Sequence, residues 1–339
     1  MNCCPFCFDD RGLATNIFPT VTSGVGQCAY CQREDVPLVE PKLLRDYFEF
    51  LISTYEEVET GGKTICEWLR DDWLLFDDEK LDLNAIKVLL ADILDDGQIV
   101  RRKFKQSDSY AIEPVADWET IKDELRYRNR YFLDQEFEVD RLSELLTHLI
   151  SDELPTTWYR ARMMSSDKLF DINEMGAPPK GIASHGRANP PGIPYLYLAS
   201  SPDTGISEIR PHTGEHACVA QFEIPADTKV VDLRNPKKLV SPFLMQGTSD
   251  IVRLRTDVPF LEKLGEELTR PVLPKSAQVD YVPSQFLCEF IKKQGFSGVL
   301  YSSSVSNGMN LALFDADIAK GKNVHEYTID RVSVDVSVH

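Results

Sequence analysis

Hydrophobic and polar positions change rhythm twice along the chain. Residues 1 to about 40 carry no sustained period and are rich in cysteine, glycine and polar side chains. From Pro41 to about Asp152, apolar residues recur at three- and four-residue spacing, the repeat of a buried helix face. That spacing predicts helices over 43–55, 65–76, 83–94, 118–132 and 139–150, punctuated by Gly61-Gly62 and by Asp95-Asp96-Gly97. After Leu154-Pro155 the texture shifts to short apolar and alternating runs. These predict strands over 158–163, 195–199, 217–224, 229–232, 298–301, 310–314 and 324–338, with helices over 259–269 and 283–294. Strands and helices do not alternate regularly, so this half is expected to be α+β rather than doubly wound. Three domains follow: a small ribbon over 1–40, an all-α domain over 41–152, and a mixed β core with helices over 153–339.

Composition narrows the class. The chain has 339 residues, 42% of them hydrophobic, enough for packed cores. No apolar run reaches the ~18 residues of a membrane span, and no basic-then-apolar leader opens the chain. A cytoplasmic protein is expected. The formal charge of -17 argues against a general nucleic-acid partner, because any basic face would have to be local. It also repels anionic ligands, so a pocket for one must carry its own arginines.

Cysteine placement adds the first chemistry. Cys4-Pro5-Phe6-Cys7 and Cys28-Ala29-Tyr30-Cys31 are two C-x-x-C knuckles, and four thiolates at this spacing can close a tetrahedral site for a structural zinc ion. Gly24 and Gly26 suit the tight turns that such knuckles need. Cys3 is a spare that could replace Cys4. Cys66, Cys218 and Cys288 lie among apolar residues and read as core thiols.

The densest signal lies in GRANPPGIPYLYLASSPDTGISEIRP, residues 186–211. Arg187 sits on a Gly/Pro-rich loop and can fork onto an anion. Tyr195 and Tyr197 are two apart on a strand, so their rings face one side. Glu208 follows the N-cap-like Ser201-Pro202-Asp203 on a short helix. An anion clamp, a stacking ring and one carboxylate suit a nucleotide with a cleavable glycosidic bond. Upstream, Arg160 and Arg162 alternate along WYRARM and share one side of their strand.

Three blocks in order resemble the RES domain family, named for its Arg, Glu and Ser. They are WYRARM (158–163), the 186–211 segment, and YVPSQFLCEFIKKQGFSGVLYSSSVSNGMNLALF (281–314). The resemblance implies a fold like that of ADP-ribosyltransferases, and NAD+ as a substrate whose nicotinamide–ribose bond is cut. Inorganic phosphate or water would accept the ADP-ribosyl group, and the setting would be a toxin–antitoxin or defence system. Arg160 matches the family's first arginine, with Arg162 as its alternative. Arg187 supplies the second anion contact, Asn189 fixes the loop, and Glu208 steadies the cationic sugar. The family serine falls among Ser302, Ser303 and Ser304, with Ser303 favoured and Ser302 beside it. Tyr197 is a stacking candidate, and Tyr281 and Gln285 match the family's Y-x-x-[TS]-Q element. Ala188 stands where the family commonly has an aromatic.

The N-terminal half resembles a cysteine ribbon and helical domain found ahead of some RES domains and sometimes grouped with HEPN folds. The R-x4–6-H motif of HEPN nucleases would fall on Arg141 and His148. However, Leu142 replaces the usual polar residue and His148 sits in LLTHLI, so a structural histidine is the expectation. Partners implied are NAD+, phosphate or water, and an antitoxin or regulatory protein; self-association stays open. Two other functions compete: ADP-ribosyl transfer to a protein or nucleic acid, and a zinc-ribbon binding module with an inactive C-terminal domain.

Overall fold

The computed structural model describes residues 1–333 other than 77, 78, 80, 109–111, 116, 135–137, 152, 166, 167 and 274. By Cα proximity the chain groups into two compact units, Met1–Val115 with Asn235–Leu261, and Ala116–Arg234 with Glu262–His339.

In the first unit, the cysteine segment leads into α1 (Phe18–Val21) and an antiparallel pair of β1 (Gly24–Gly26) and β2 (Val36–Leu38). Then come α2 (Arg45–Ile52), β3 (Tyr55–Val58), β4 (Lys63–Thr64), α3 (Ile65–Trp73), α4 (Leu83–Leu94) and β5 (Lys103–Gln106). Thr64 and Glu67 start α3 with a reciprocal capping box, and the Asp82 side chain accepts from the Ala85 N–H to start α4. Ile86, Leu89, Leu90 and Ile93 form the buried stripe of α4, the repeat read from the sequence. The Phe8 ring lies 5.6 Å from Phe48 and 5.8 Å from Phe18 and Phe76, so the cysteine segment shares a core with α2.

Among these helices the region also carries a small antiparallel sheet ordered β3-β5-β4. Strands of two to four residues with charged outer faces contain too few alternations to register as a period.

In the second unit, α5 (Trp118–Tyr127) and α6 (Val139–Thr147) precede β6 (Thr157–Met163), β7 (Leu196–Ala199), α7 (Pro202–Glu208), β8 (His216–Glu223) and β9 (Val230–Asp232). The chain continues through α8 (Pro236–Leu239) and α9 (Thr248–Thr269), whose residues up to Leu261 group with the first unit. It finishes with α10 (Ala277–Asp280), α11 (Val282–Lys293), β10 (Gly298–Ser302), β11 (Met309–Leu313) and β12 (Lys320–Thr328). The fold is α+β: seven strands form one mixed sheet, ordered β12-β8-β6-β7-β11-β10-β9, with only β9–β10 parallel.

The expected helix over 43–55 ends at Ile52, before Tyr55 starts β3, and the one over 118–132 ends at Tyr127; two further elements differ more in extent. Helix α9 starts well before Pro259 and runs through it, because Ile251, Val252, Leu254 and Val258 are buried along its first half and outweigh the proline's missing N–H. The last strand spans Lys320–Thr328 in register with β8 rather than 324–338; residues 334–338 lie outside those described. No described helix is long and apolar enough to cross a membrane.

Side-chain alternation decides what each sheet face does. Leu196 and Leu198 of β7 join Trp158, Leu300, Leu311 and Leu313 in a buried cluster on one face. The opposite face takes Tyr197, and the register brings Ala312 alongside it and Asn310 across from Tyr301. There Ala199 and Ala161 pack close to Gly205 of α7.

Candidate active site and cysteine centre

On that second face a cleft of about 470 Å³ opens. Its polar lining comes from Arg187, Arg210, Glu208, Asn310, Ser304 and His185, and its aromatic lining from Tyr197, Tyr281 and Tyr301.

The arginine loop is built from within. The Asn189 amide donates to the carbonyls of Ser184 (3.0 Å), Pro190 (3.0 Å) and Ile193 (2.8 Å). Its Oδ1 accepts from the Tyr197 hydroxyl at 2.7 Å, and that hydroxyl accepts from the Ala188 N–H at 2.9 Å. Burial pushes the Tyr197 hydroxyl well above the usual tyrosine range, so it stays protonated and able to donate. A Cβ at Gly186 would fall 2.4 Å from Asn189 Oδ1 and 2.5 Å from the Tyr197 hydroxyl, so only glycine allows this approach.

Helix α11 clamps the same loop from outside. Gln285 donates to the carbonyls of Gly186 (2.8 Å) and Asn189 (3.0 Å), and Ser284 donates to that of Arg187 (2.6 Å). The Arg187 guanidinium donates from Nη1 to the Arg270 carbonyl (2.8 Å) and lies 5.3 Å from the Tyr281 ring centre. Arg270 in turn is held by buried Glu267, at 2.9 Å from Nε and 2.8 Å from Nη2.

The carboxylate arrives from α7. Ser201 caps that helix by accepting from the Thr204 N–H, and Pro202 opens it, as SSPD suggests. Glu208 closes the helix. Its Oε1 accepts from Ser303 Oγ at 2.7 Å and from Asn310 Nδ2 at 2.6 Å, while Oε2 has no hydrogen bond among the described residues. One oxygen is anchored and the other is available in the cleft. Burial raises the Tyr301 hydroxyl far above its ordinary range, so the ring stays neutral there.

Of the residues singled out from sequence, the structure brings Arg187, Glu208, Tyr197 and Tyr281 to one cleft. Ser303 stands directly behind Glu208, and Asn189 and Gln285 hold the arginine loop. Ser302 alternates with Tyr301 on β10 and points to the other face.

Arg160 and Arg162 do not line this cleft among the described residues. They alternate with Ala161, which faces α7, and donate instead to backbone carbonyls of the turn before the arginine loop. Arg160 Nη1 reaches the Gly176 carbonyl at 2.9 Å; Arg162 reaches that of Glu174 and stacks 4.8 Å from the Phe170 ring. Burial, with Arg162 adding repulsion, lowers the Arg160 guanidinium to about 10, still cationic at neutral pH. The second cation of the cleft is Arg210, which the sequence reading passed over along with Asn310. Both lie in the motif-bearing stretches 186–211 and 281–314, but only pairing of β11 with β7 shows that Asn310 faces Glu208.

The knuckles converge as their spacing suggests. Cys4, Cys7, Cys28 and Cys31 are buried, with all four Sγ atoms within 4.8 Å of one another. Sγ–Sγ separations are 3.4 Å for Cys4–Cys31 and Cys7–Cys28 and 3.9 Å for Cys4–Cys7. A tetrahedron of Zn–S bonds of about 2.3 Å has edges of about 3.8 Å, so the four thiols are grouped closely enough to suit a structural zinc ion. Cys3 stays outside, its thiol 3.5 Å from the Val39 carbonyl. Cys66, Cys218 and Cys288 are buried and separate, as expected of core thiols.

No curated protein matches the chain. Among solved structures, a chain of the M. tuberculosis MbcT–MbcA toxin–antitoxin complex is 16% identical. That alignment covers 55% of this chain and 92% of the other, with a TM-score of 0.32. The RES domain profile matches residues 157–334, which contain the α7 carboxylate, the arginine loop and the strands behind them. The match spans just over half of the chain, and this protein belongs to the RES domain family.

Proposed function

We propose that this protein consumes NAD+ by cleaving its nicotinamide–ribose bond, with phosphate or water as acceptor, and that it acts as the toxin of a toxin–antitoxin or defence pair. The observation that carries the reading is the Glu208 carboxylate. It is held through Oε1 by Ser303 and Asn310 and presents Oε2 to a cleft that also bears Arg187 and Arg210.

When the C–N bond breaks, its electron pair leaves on the nicotinamide nitrogen, and the ribose carbon develops oxocarbenium character. The leaving group departs neutral, so no general acid is needed; what lowers the barrier is fixed negative charge beside the sugar. Glu208 supplies that charge through Oε2, either directly or by accepting from ribose hydroxyls. Arg187 is preset against Tyr281 to take a phosphate, and the Tyr281 and Tyr301 rings line the same cleft. An acceptor oxygen then bonds to the ribose carbon: phosphate gives phosphorylated ADP-ribose, and water gives ADP-ribose with its extra proton released to solvent. Arg160 and Arg162 act in this reading as positioning residues, holding the turn that leads into the arginine loop.

The four cysteines are proposed to hold one structural zinc ion with no open coordination site. An antitoxin is the expected protein partner.

The decisive experiment incubates purified protein with NAD+, with and without inorganic phosphate, and identifies products by mass. Free nicotinamide with ADP-ribose or its phosphate is expected. NAD+ left intact in both arms refutes the reading, and ADP-ribose found covalently on protein would replace it with transferase activity.

A further inference from the structure

Arg210 has a backbone that an arginine should avoid. It lies two residues past Glu208, the end of α7, with φ +51°, in the left-handed region, and the next residue is Pro211. Glycine or asparagine normally takes that conformation after a helix, because a Cβ crowds the following carbonyl. A residue ahead of proline is further pushed toward extended backbone. Six other described non-glycine residues have positive φ, and none of them precedes a proline.

Its side chain is exposed. The residue lines the cleft, and its guanidinium has no hydrogen-bond or ion-pair partner among the described residues, although Glu208 lies only two positions away. Arg187, by contrast, is already committed to the Arg270 carbonyl and the Tyr281 ring. The cleft therefore holds one pre-set cation and one whose five donors are unspent. Strain kept at a ligand-lining position points to a contact made only when ligand is bound.

We propose that Arg210 grips a phosphate-bearing anion in this cleft, opposite the fixed Arg187, and that the left-handed backbone is retained to aim it there. The proposal rests on the NAD+-cleaving reading above. The anion is either the dinucleotide's diphosphate or inorganic phosphate entering as acceptor, since both present the same oxygens to a guanidinium fork.

The test is calorimetric titration of the full chain with ADP-ribose and, separately, with inorganic phosphate. It compares wild type, Arg210→Gly and Arg210→Lys, with thermal unfolding of each. Glycine relaxes the backbone, so Arg210→Gly should melt at or above the wild-type temperature while losing at least tenfold in affinity. Arg210→Lys keeps charge without the fork and should fall between. Loss confined to ADP-ribose assigns Arg210 to the diphosphate, and loss confined to phosphate assigns it to the acceptor. If wild type binds these anions and Arg210→Gly binds them equally well, the proposal is overturned while the cleft reading stands. A glycine variant that melts clearly lower would overturn the strain argument. A wild type that binds neither anion and leaves NAD+ intact removes the cleft reading itself.

Discussion

Replacing Tyr197 with phenylalanine isolates one oxygen atom. The ring and its place in the cleft wall remain, but the hydroxyl that joins the Ala188 N–H to Asn189 Oδ1 is gone. Ala188 is fully buried and Asn189 nearly so, so neither orphaned group can turn to solvent. An unsatisfied buried donor or acceptor costs about 1–3 kcal/mol, and two of them, less what is regained by not burying the hydroxyl, give about 2–4 kcal/mol. Urea titration should show that loss as a lower midpoint at unchanged slope. Because the same bonds set the arginine loop, the Michaelis constant for NAD+ should rise about tenfold if only 1.4 kcal/mol of positioning is lost. The turnover number should change less, since Ser303 and Asn310 hold Glu208 independently of that loop. In an Asn189→Ala background the Tyr197→Phe change should cost much less than alone, since the two share one network. Stability within about 0.5 kcal/mol of wild type, together with an unchanged Michaelis constant, would refute the claim that this hydroxyl builds the loop.

Glu208→Gln keeps an oxygen able to accept from Ser303 and Asn310 but removes the charge; NAD+ loss should fall at least about 100-fold with the unfolding midpoint retained. Wild-type turnover in that variant would take Glu208 out of the mechanism. Elemental analysis should find one zinc per chain in wild type and none in Cys31→Ser, with the first unit losing protection from hydrogen exchange; metal-free wild type would reject the cysteine centre. Burial lifts the Asp10 carboxyl to about 6, above its ordinary 3.8, so the folded chain holds that proton more tightly than the unfolded one. This contribution is fully present below about pH 4 and is lost as pH climbs through 6. Asp10→Asn still accepts from Leu13 N–H and Ser241 Oγ, and should exceed wild-type stability above pH 6 by up to about 3 kcal/mol. That advantage should vanish below pH 4, and parallel stability curves across this range would show that Asp10 does not titrate as stated.

Local chemistry was legible in the sequence wherever neighbours along the chain decide it. The C-x-x-C spacing needs only two short turns to place two thiols together, and Ser201-Pro202 starts a helix with its own atoms. The asparagine that braces its own loop is local in the same way. What the chain could not reveal one residue at a time is which side of a seven-stranded sheet each side chain takes. Arg160 and Arg162 share a strand side, as their alternation requires, but only the packing of Ala161 on α7 shows that this side faces away from Glu208. Asn310 becomes a partner of Glu208 through antiparallel pairing across 111 positions of chain, from Ala199 to Asn310. Arg210 enters the cleft through a left-handed backbone that no propensity predicts. Sequence alone therefore determined which local pieces form; tertiary pairing decided which of them meet, because strand order, register and face are properties of the whole sheet.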